Sequence, residues 1–200
     1  MPSNRTVLLV AALAALAGAA ASVFFEPTLA YRLAGTEAGQ EALQATLEAR
    51  APPPPAGVTV ARRGERIPAL RLSDLDGTPV PLPDAWAGRP TLVNLWATWC
   101  APCLKEMPDL QAFSAQQGAS GVRVVGIALD DPDAVRPFLA RHGITYPILT
   151  DAPGPADAGV RLGNRAGVLP YSVLIDADGR MIKTRIGPFE DVEAVARWSA

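Results

Sequence analysis

Cysteine occurs twice and histidine once in the 200 residues, and both scarcities narrow what the chain can do. Two cysteines close one bridge at most, so the fold is not a disulfide-stapled scaffold and must rest on an apolar core. A structural zinc site takes about four ligands, more than Cys100, Cys103 and His142 supply. Basic clusters are missing as well. With 18 basic against 20 acidic groups, a net charge of -2 and no basic run, nothing recommends a nucleic-acid partner. There is no glycine-rich phosphate loop and no Ser/His/Asp arrangement. Asp130, Asp131, Asp133, Asp151, Asp176 and Asp178 read as loop or cap residues, and Asp176-Ala-Asp178-Gly179 fits a β-turn better than half a calcium loop.

Charge is absent from Val7 to Phe25, 19 consecutive positions that are mostly apolar. A bilayer-spanning helix takes about 20 such residues. A cleaved signal peptide has a shorter apolar core, here Val7 to Ala17, followed by small residues such as Ala19-Ala20-Ala21. The bulky Val23-Phe24-Phe25 that follows favours an uncleaved anchor, residues 1–25, with Arg5 on the cytoplasmic side. Either reading exports the remainder. Residues 26–57 are expected to form a spacer: Glu26 to Arg50 helical, with a thin apolar face at Leu43 and Leu47, and Ala51 to Gly57 a semi-rigid polyproline linker. The globular domain is then 58–200.

Within it, Asp76-Gly77 turns a short hairpin between Ala69 and Leu82. Thr91 to Trp96 is a buried strand, followed at once by a helix to about Gln117 that contains Pro108 and should kink there. Val122 to Leu129 is a second buried strand. Asp130, Asp131 and Asp133 open a helix to about Arg141, closed by Gly143. Thr145 to Leu149 is expected as a short strand and Pro155 to Leu162 as a helix. A hairpin of Ser172–Ile175 and Met181–Ile186 and a terminal helix, Asp191 to Trp198, complete the chain. Strands alternating with helices, then a hairpin, give an α/β fold with a mixed sheet.

Both cysteines lie in Trp99-Cys100-Ala101-Pro102-Cys103, where the central strand turns into a helix. A thiolate, not a thiol, attacks a disulfide, and the unpaired N–H groups and dipole of a helix N-terminus favour the anion. Cys100, the outermost, is expected to be the nucleophile; Cys103, one turn inside, should resolve the mixed disulfide. A static bridge across so small a loop would add little stability. A Cys-x-x-Cys after a strand in an α/β pattern points instead to redox chemistry. His142 has no catalytic role in this reading.

The stretch Trp96-Ala-Thr-Trp99-Cys100-Ala-Pro-Cys103, with Glu106, Pro108 and the Pro170 segment, resembles the thioredoxin-like proteins of the TlpA/ResA type over roughly Glu65 to Trp198. These are bacterial, membrane-anchored, extracytoplasmic thiol–disulfide oxidoreductases. The resemblance implies a thioredoxin fold with an N-terminal hairpin and one inserted helix, preceded by a transmembrane anchor. It implies a single-pass protein of the bacterial inner membrane with its C-terminal domain in the periplasm, or a soluble periplasmic form if the signal is cleaved. No cofactor is implied beyond the Cys100–Cys103 dithiol. Pro170 matches the family's cis-proline beside the disulfide, which leaves the Leu169 backbone free to pair with an extended substrate. Glu106 matches a glutamate placed close to the second cysteine; desolvated there, it should titrate high and exchange a proton with Cys103. At Asn94 ordinary cytoplasmic thioredoxins carry a buried aspartate, so the acid–base role here falls to Glu106. Trp99 is expected to meet the partner, and Trp96 to pack beneath the site.

By the same resemblance the function is reduction of disulfides in exported proteins, apocytochrome c among the possible targets, with electrons from a membrane thiol reductant of the DsbD/CcdA kind. Two alternatives stay open on the residues alone. Nothing in Ala101-Pro102 excludes an oxidase or isomerase, and a soft dithiolate suits the Cu(I) of a metallochaperone. The second lacks an accessory His or Met nearby, since Met107 is expected to point elsewhere on the helix.

Overall fold

The computed structural model describes residues 10–15, 18 and 35–200, and the chain divides into two units, residues 1–45 and 46–200. Residues 10–15 and 18 are helical, and among the described residues no helix is long and apolar enough to cross a membrane. Most of the anchor expected within residues 1–25 lies outside the described residues. Helix α1, Glu37–Arg50, ends where the expected helix does and buries none of its residues. The Thr36 hydroxyl caps it by accepting from the Gly39 N–H at 3.1 Å; residues 26–34 of the expected helix are outside the described set. After it, Arg165 donates to the carbonyls of Ala51 and Pro52, both at 3.1 Å, so the start of the polyproline linker is seated on the domain.

Strands β1 (Leu70–Asp74) and β2 (Pro79–Leu82) form the hairpin. Its turn is closed by the Asp74 carboxylate, which accepts from the N–H groups of Asp76 and Thr78 at 2.9 and 2.8 Å. Gly77 takes a φ of 80°, open to glycine at little cost. Then follow β3 (Thr91–Trp96), α2 (Ala101–Gln116), β4 (Arg123–Leu129), α3 (Pro132–His142), β5 (Ile148–Asp151), α4 (Ala158–Arg161), β6 (Tyr171–Ile175), β7 (Met181–Ile186) and α5 (Val192–Ser199). Pro108 lies inside α2 without ending it.

One seven-stranded sheet runs β2-β1-β5-β4-β3-β6-β7. The strands β3, β4 and β5 are parallel, and β6, β7 and the leading hairpin are antiparallel to their neighbours. The hairpin is not a separate flap. It extends the sheet by pairing Ser73 with Thr150 and Asp74 with Leu149. Strand β3 lies between β4 and β6 and is buried on both faces, as a strand with helices above and below must be. Its alternation splits the core in two. Leu92 and Trp96 pack with Met107, Leu110 and Phe113 of α2, whereas Val93 and Leu95 pack with Leu70, Leu82, Trp86 and Tyr171.

Two elements of the globular domain start three residues later than expected. The strand expected at Thr145–Leu149 is β5, Ile148–Asp151, because Pro147 has no N–H for the ladder and contributes only its carbonyl, which accepts from Gly126 at 2.9 Å. The helix expected from Pro155 starts at Ala158, where the Asp157 side chain accepts from the Val160 N–H. Asp131 and Asp191 cap α3 and α5 in the same way, and Gly143, at φ 64°, ends α3.

Candidate active site

Cys100 is the N-cap of α2, and its sulfur accepts from the Cys103 N–H at 3.3 Å. Pro102 stands in the first turn, where its missing N–H leaves no helical bond unmade. Cys100 and Cys103 form a disulfide with Cα atoms 5.3 Å apart. Cys103 is fully buried and Cys100 retains 5% exposure, so any partner sulfur reaches Cys100 first. Trp99, 71% exposed, projects beside it, while Trp96 is fully buried with its ring centroid 5.4 Å from that of Phe138. Room for the Trp96 indole comes from Gly126 on β4. A Cβ there would lie 3.0 Å from Trp96 Nε1 and 2.5 Å from Ile148 Cδ1.

One turn beyond Cys103 on the same helix, Glu106 is also fully buried. Asn94 Nδ2 donates to Glu106 Oε1 at 2.8 Å and to Ser172 Oγ at 3.1 Å. The Phe189 N–H, 83 residues along the chain, donates to Oε2 at 2.8 Å. Burial is the largest influence on this carboxyl and raises its pKa from 4.5 to about 7; the bonds from Phe189 and Asn94 and the charge of Arg185 pull it back down, and Asp109 adds a small upward push. Asn94 therefore does more than stand as a neutral residue where an aspartate would ionise: it is a donor to the acid. Tyr146, another buried side chain on this side of the sheet, has its phenol pushed well above the ordinary value by burial and then by Glu106.

The Leu169–Pro170 peptide is cis. Pro170 is buried and its carbonyl accepts from the Gly187 N–H at 3.0 Å. Leu169 is half-buried and packs against the cluster that contains Cys100 and Cys103. Asn164 holds the chain just before it: Nδ2 donates to the Val168 carbonyl at 2.8 Å, and Oδ1 accepts from the Val168 N–H at 3.0 Å. No motif announced Asn164, since its role depends on a loop that closes on itself.

Asp130 is a second residue that the sequence left as a simple cap. Its Oδ2 accepts from the hydroxyl and the N–H of Thr98, at 2.5 and 3.0 Å, and so grips the segment leading into Trp99 and Cys100. Partial burial pushes its pKa up, but the bonds from Thr98 and Asp131 outweigh it and hold the carboxyl below its ordinary value. Asp130→Ala is expected to loosen this turn and slow disulfide exchange about fivefold, for bonds worth about 1 kcal/mol at a partly exposed site. Thr98→Ser keeps both donors and should stay near wild type. Turnover of Asp130→Ala equal to wild type in an insulin-reduction assay would count against this grip.

The remaining acids serve local structure. Asp151 accepts from the Ala158 N–H at 2.7 Å, and Asp176 accepts from the N–H groups of Asp178 and Arg180 at 2.9 and 2.8 Å, which makes its loop a β-turn. His142 caps nothing catalytic: its Nδ1 lies 2.9 Å from the Phe138 carbonyl and its ring stacks on Phe138. Met107 is buried in the core beneath α2. Among the described residues there is no group of three or more His, Cys, Asp or Glu that could hold a metal ion.

A family model described as Redoxin matches residues 62–197. The chain is 33% identical over 127 residues to the thiol-disulfide oxidoreductase ResA of Bacillus anthracis, covering 62% of this chain and 69% of ResA. It is 36% identical over 144 residues to the thiol:disulfide interchange protein HelX of Rhodobacter capsulatus, covering 69% of this chain and 76% of HelX. Among solved structures it resembles StoA of Bacillus subtilis, with a TM-score of 0.53, 27% identity and coverage of 66% of this chain and 97% of StoA. It also resembles a DsbF homologue of Corynebacterium diphtheriae, with a TM-score of 0.58, 28% identity and coverage of 74% and 95%.

Proposed function

The chain belongs to the Redoxin family, and from that membership we propose that this thiol–disulfide oxidoreductase, of the ResA/HelX type, reduces disulfides in exported proteins. The observation that carries the reading is Cys100 at the N-cap of α2, bonded to Cys103 one turn inside, with the buried Glu106 a further turn along the same helix.

In the reduced enzyme the Cys100 thiolate attacks one sulfur of the client disulfide. A Cys100–client mixed disulfide forms and the other client sulfur leaves as a thiolate. Cys103 then gives its proton to the Glu106 carboxylate and attacks the Cys100 sulfur. The Cys100–Cys103 bond closes, the second client thiolate departs, and the two client sulfurs take up protons. Two electrons have passed to the client. The enzyme ends in the disulfide form seen here, and reduction of that disulfide returns both cysteines to thiols. A carboxyl poised at about 7 suits this task, because near neutral pH it can both accept and release a proton. The Leu169 backbone pairs with an extended client segment next to the disulfide, and the exposed Trp99 indole covers the client's other side.

The setting follows the same reading. Residues 1–25 anchor the protein in the bacterial inner membrane, or act as a cleaved signal, and residues 26–57 hold the domain of residues 58–200 in the periplasm. Support comes from the 19 uncharged residues Val7 to Phe25 and from the likeness to ResA and HelX. A membrane thiol reductant of the DsbD/CcdA kind supplies electrons, and clients include proteins of cytochrome c maturation. The test is the midpoint potential of the Cys100–Cys103 couple. A reductase should lie near or below thioredoxin, at about -270 mV; a value as oxidising as about -120 mV would overturn the reductase assignment.

A further inference from the structure

The polar row beneath Glu106 does not stop at Ser172. Strand register places Asn94 opposite Ser172 in β3 and β6, and Ser172 opposite Arg185 in β6 and β7. Directly opposed residues of antiparallel strands share a face of the sheet. Asn94, Ser172 and Arg185 therefore form one transverse line across three strands, on the face that carries Glu106. Hydrophobic residues occupy most of that face, so a guanidinium in line with a buried carboxyl is out of keeping with simple core packing.

Arg185 is half-buried and held from two sides. Its Nη2 donates to the Pro188 carbonyl at 3.0 Å, and its guanidinium carbon lies 4.9 Å from the centroid of the Phe189 ring. Its buried Nε has no hydrogen-bond partner among the described residues. Phe189 is the residue whose N–H donates to Glu106 Oε2. The side chain thus grips the same turn, Gly187 to Phe189, that satisfies the buried acid.

We propose that Arg185 is a positioning residue for Glu106, keeping the Phe189 N–H on the carboxyl and facing that carboxyl with a positive charge from β7. The inference rests on the acid–base reading of Glu106 given above. Three other groups bear on the same carboxyl. Asp109, on α2, opposes its ionisation; Tyr146 lies within its field; and Cys103, a turn before it, is the thiol it serves. Burial draws Arg185 below the ordinary guanidinium value while Glu106 and Glu190 push it up, but a guanidinium remains charged throughout the working range. Asp109 and Arg185 act in opposite senses, so removing the arginine leaves Asp109 and burial unopposed by any charge.

The experiment is a titration of the Glu106 carboxyl in the full-length oxidised chain, followed by infrared or carbon NMR spectroscopy, with Glu106→Gln to assign the signal. Arg185→Gln keeps a donor for Pro188 and removes the charge. Its Glu106 midpoint should rise by roughly half a unit to one unit, the lower end of what a nearby opposite charge does. Arg185→Lys restores the charge and should return the midpoint at least halfway to wild type. A midpoint unmoved in Arg185→Gln, or no recovery in Arg185→Lys, overturns the proposal. Failure of the underlying reading looks different: Glu106→Gln would then resolve mixed disulfides at the wild-type rate, whatever the carboxyl midpoint does in the arginine variants.

Discussion

Cys103→Ser should accumulate a covalent complex with its client, and Cys100→Ser should form none and lose disulfide exchange to the uncatalysed level. The asymmetry follows from where the two sulfurs sit. Cys100 is at the helix N-cap with a surface outlet, and Cys103 is wholly enclosed one turn inside. A client disulfide cannot approach Cys103 directly, so the first bond must form at Cys100. Without Cys103, no internal thiol can displace the client from Cys100, and release must wait for an external thiol. Non-reducing electrophoresis followed by mass analysis reads the adduct and identifies the captured protein. A Cys100→Ser chain that still forms the adduct, or a Cys103→Ser chain that turns over normally, would reverse the assignment of attacking and resolving sulfurs. The same capture bears on the cellular setting, because the trapped client is either an exported protein or it is not.

Glu106→Gln should have the second-largest effect, on both rate and stability. A positioned general base contributes about 10²-fold or more, so resolution of the mixed disulfide should slow by about that factor and lose its dependence on pH around 7. In the wild type that rate should fall as pH drops below about 7, as the carboxylate that receives the Cys103 proton disappears. The stability effect has the opposite sense. The folded pKa is raised, from 4.5 to about 7, so the folded state binds the proton more tightly than the unfolded chain does. The stabilisation is complete below 4.5, declines as pH rises, and is lost above about 7, a span of about 3 kcal/mol for this single group. Denaturant unfolding of the oxidised protein at several pH values measures it. The Glu106→Gln variant lacks this component, so its stability relative to wild type should improve by about 3 kcal/mol between pH 4.5 and 8. Parallel curves for the two proteins would show that Glu106 does not titrate in this window.

Together these experiments separate the dithiol from its surroundings. On the proposed mechanism, loss of either cysteine should stop exchange, whereas changes at Glu106 and Arg185 should alter when the buried thiol gives up its proton. Asp130 and Asn164 belong to a third kind. They touch neither sulfur by hydrogen bond, yet each holds a segment beside the disulfide: the Thr98 to Cys100 turn in one case and the Val168 to Pro170 loop in the other.

How much of this could be read from the chain alone differs from residue to residue. Cys100, Ala101, Pro102 and Cys103 declare themselves because helix capping acts over one turn. The thiol that precedes a proline in the first turn is the N-cap, and the thiol three residues on is inside. Thr91 to Trp96 declares itself as a buried strand because a run that is apolar but for Thr91 and Asn94, with no charge in it, has no solvent face. Gly143 and Asp131 mark the ends of α3 for equally local reasons. Pro147 shows the limit of a composition argument. Thr145 to Leu149 reads as a strand, but the missing N–H delays the ladder to Ile148.

The sequence by itself determined the dithiol, its place at a strand-to-helix junction and the alternation that builds an α/β sheet, because each depends on neighbours a few positions apart. Tertiary structure alone decided what surrounds the sulfurs. Asn94 and Phe189 meet Glu106 across separations of 12 and 83 residues, Arg185 joins them through the register of two strand pairs, and Asp130 reaches Thr98 from 32 residues away. The leading hairpin finds its place at the edge of β5 in the same way. No local pattern encodes such meetings. They follow from strand register and from the packing of α2 on the sheet, and it is that packing which takes a glutamate out of water and turns an ordinary acid into one that titrates where thiols exchange protons.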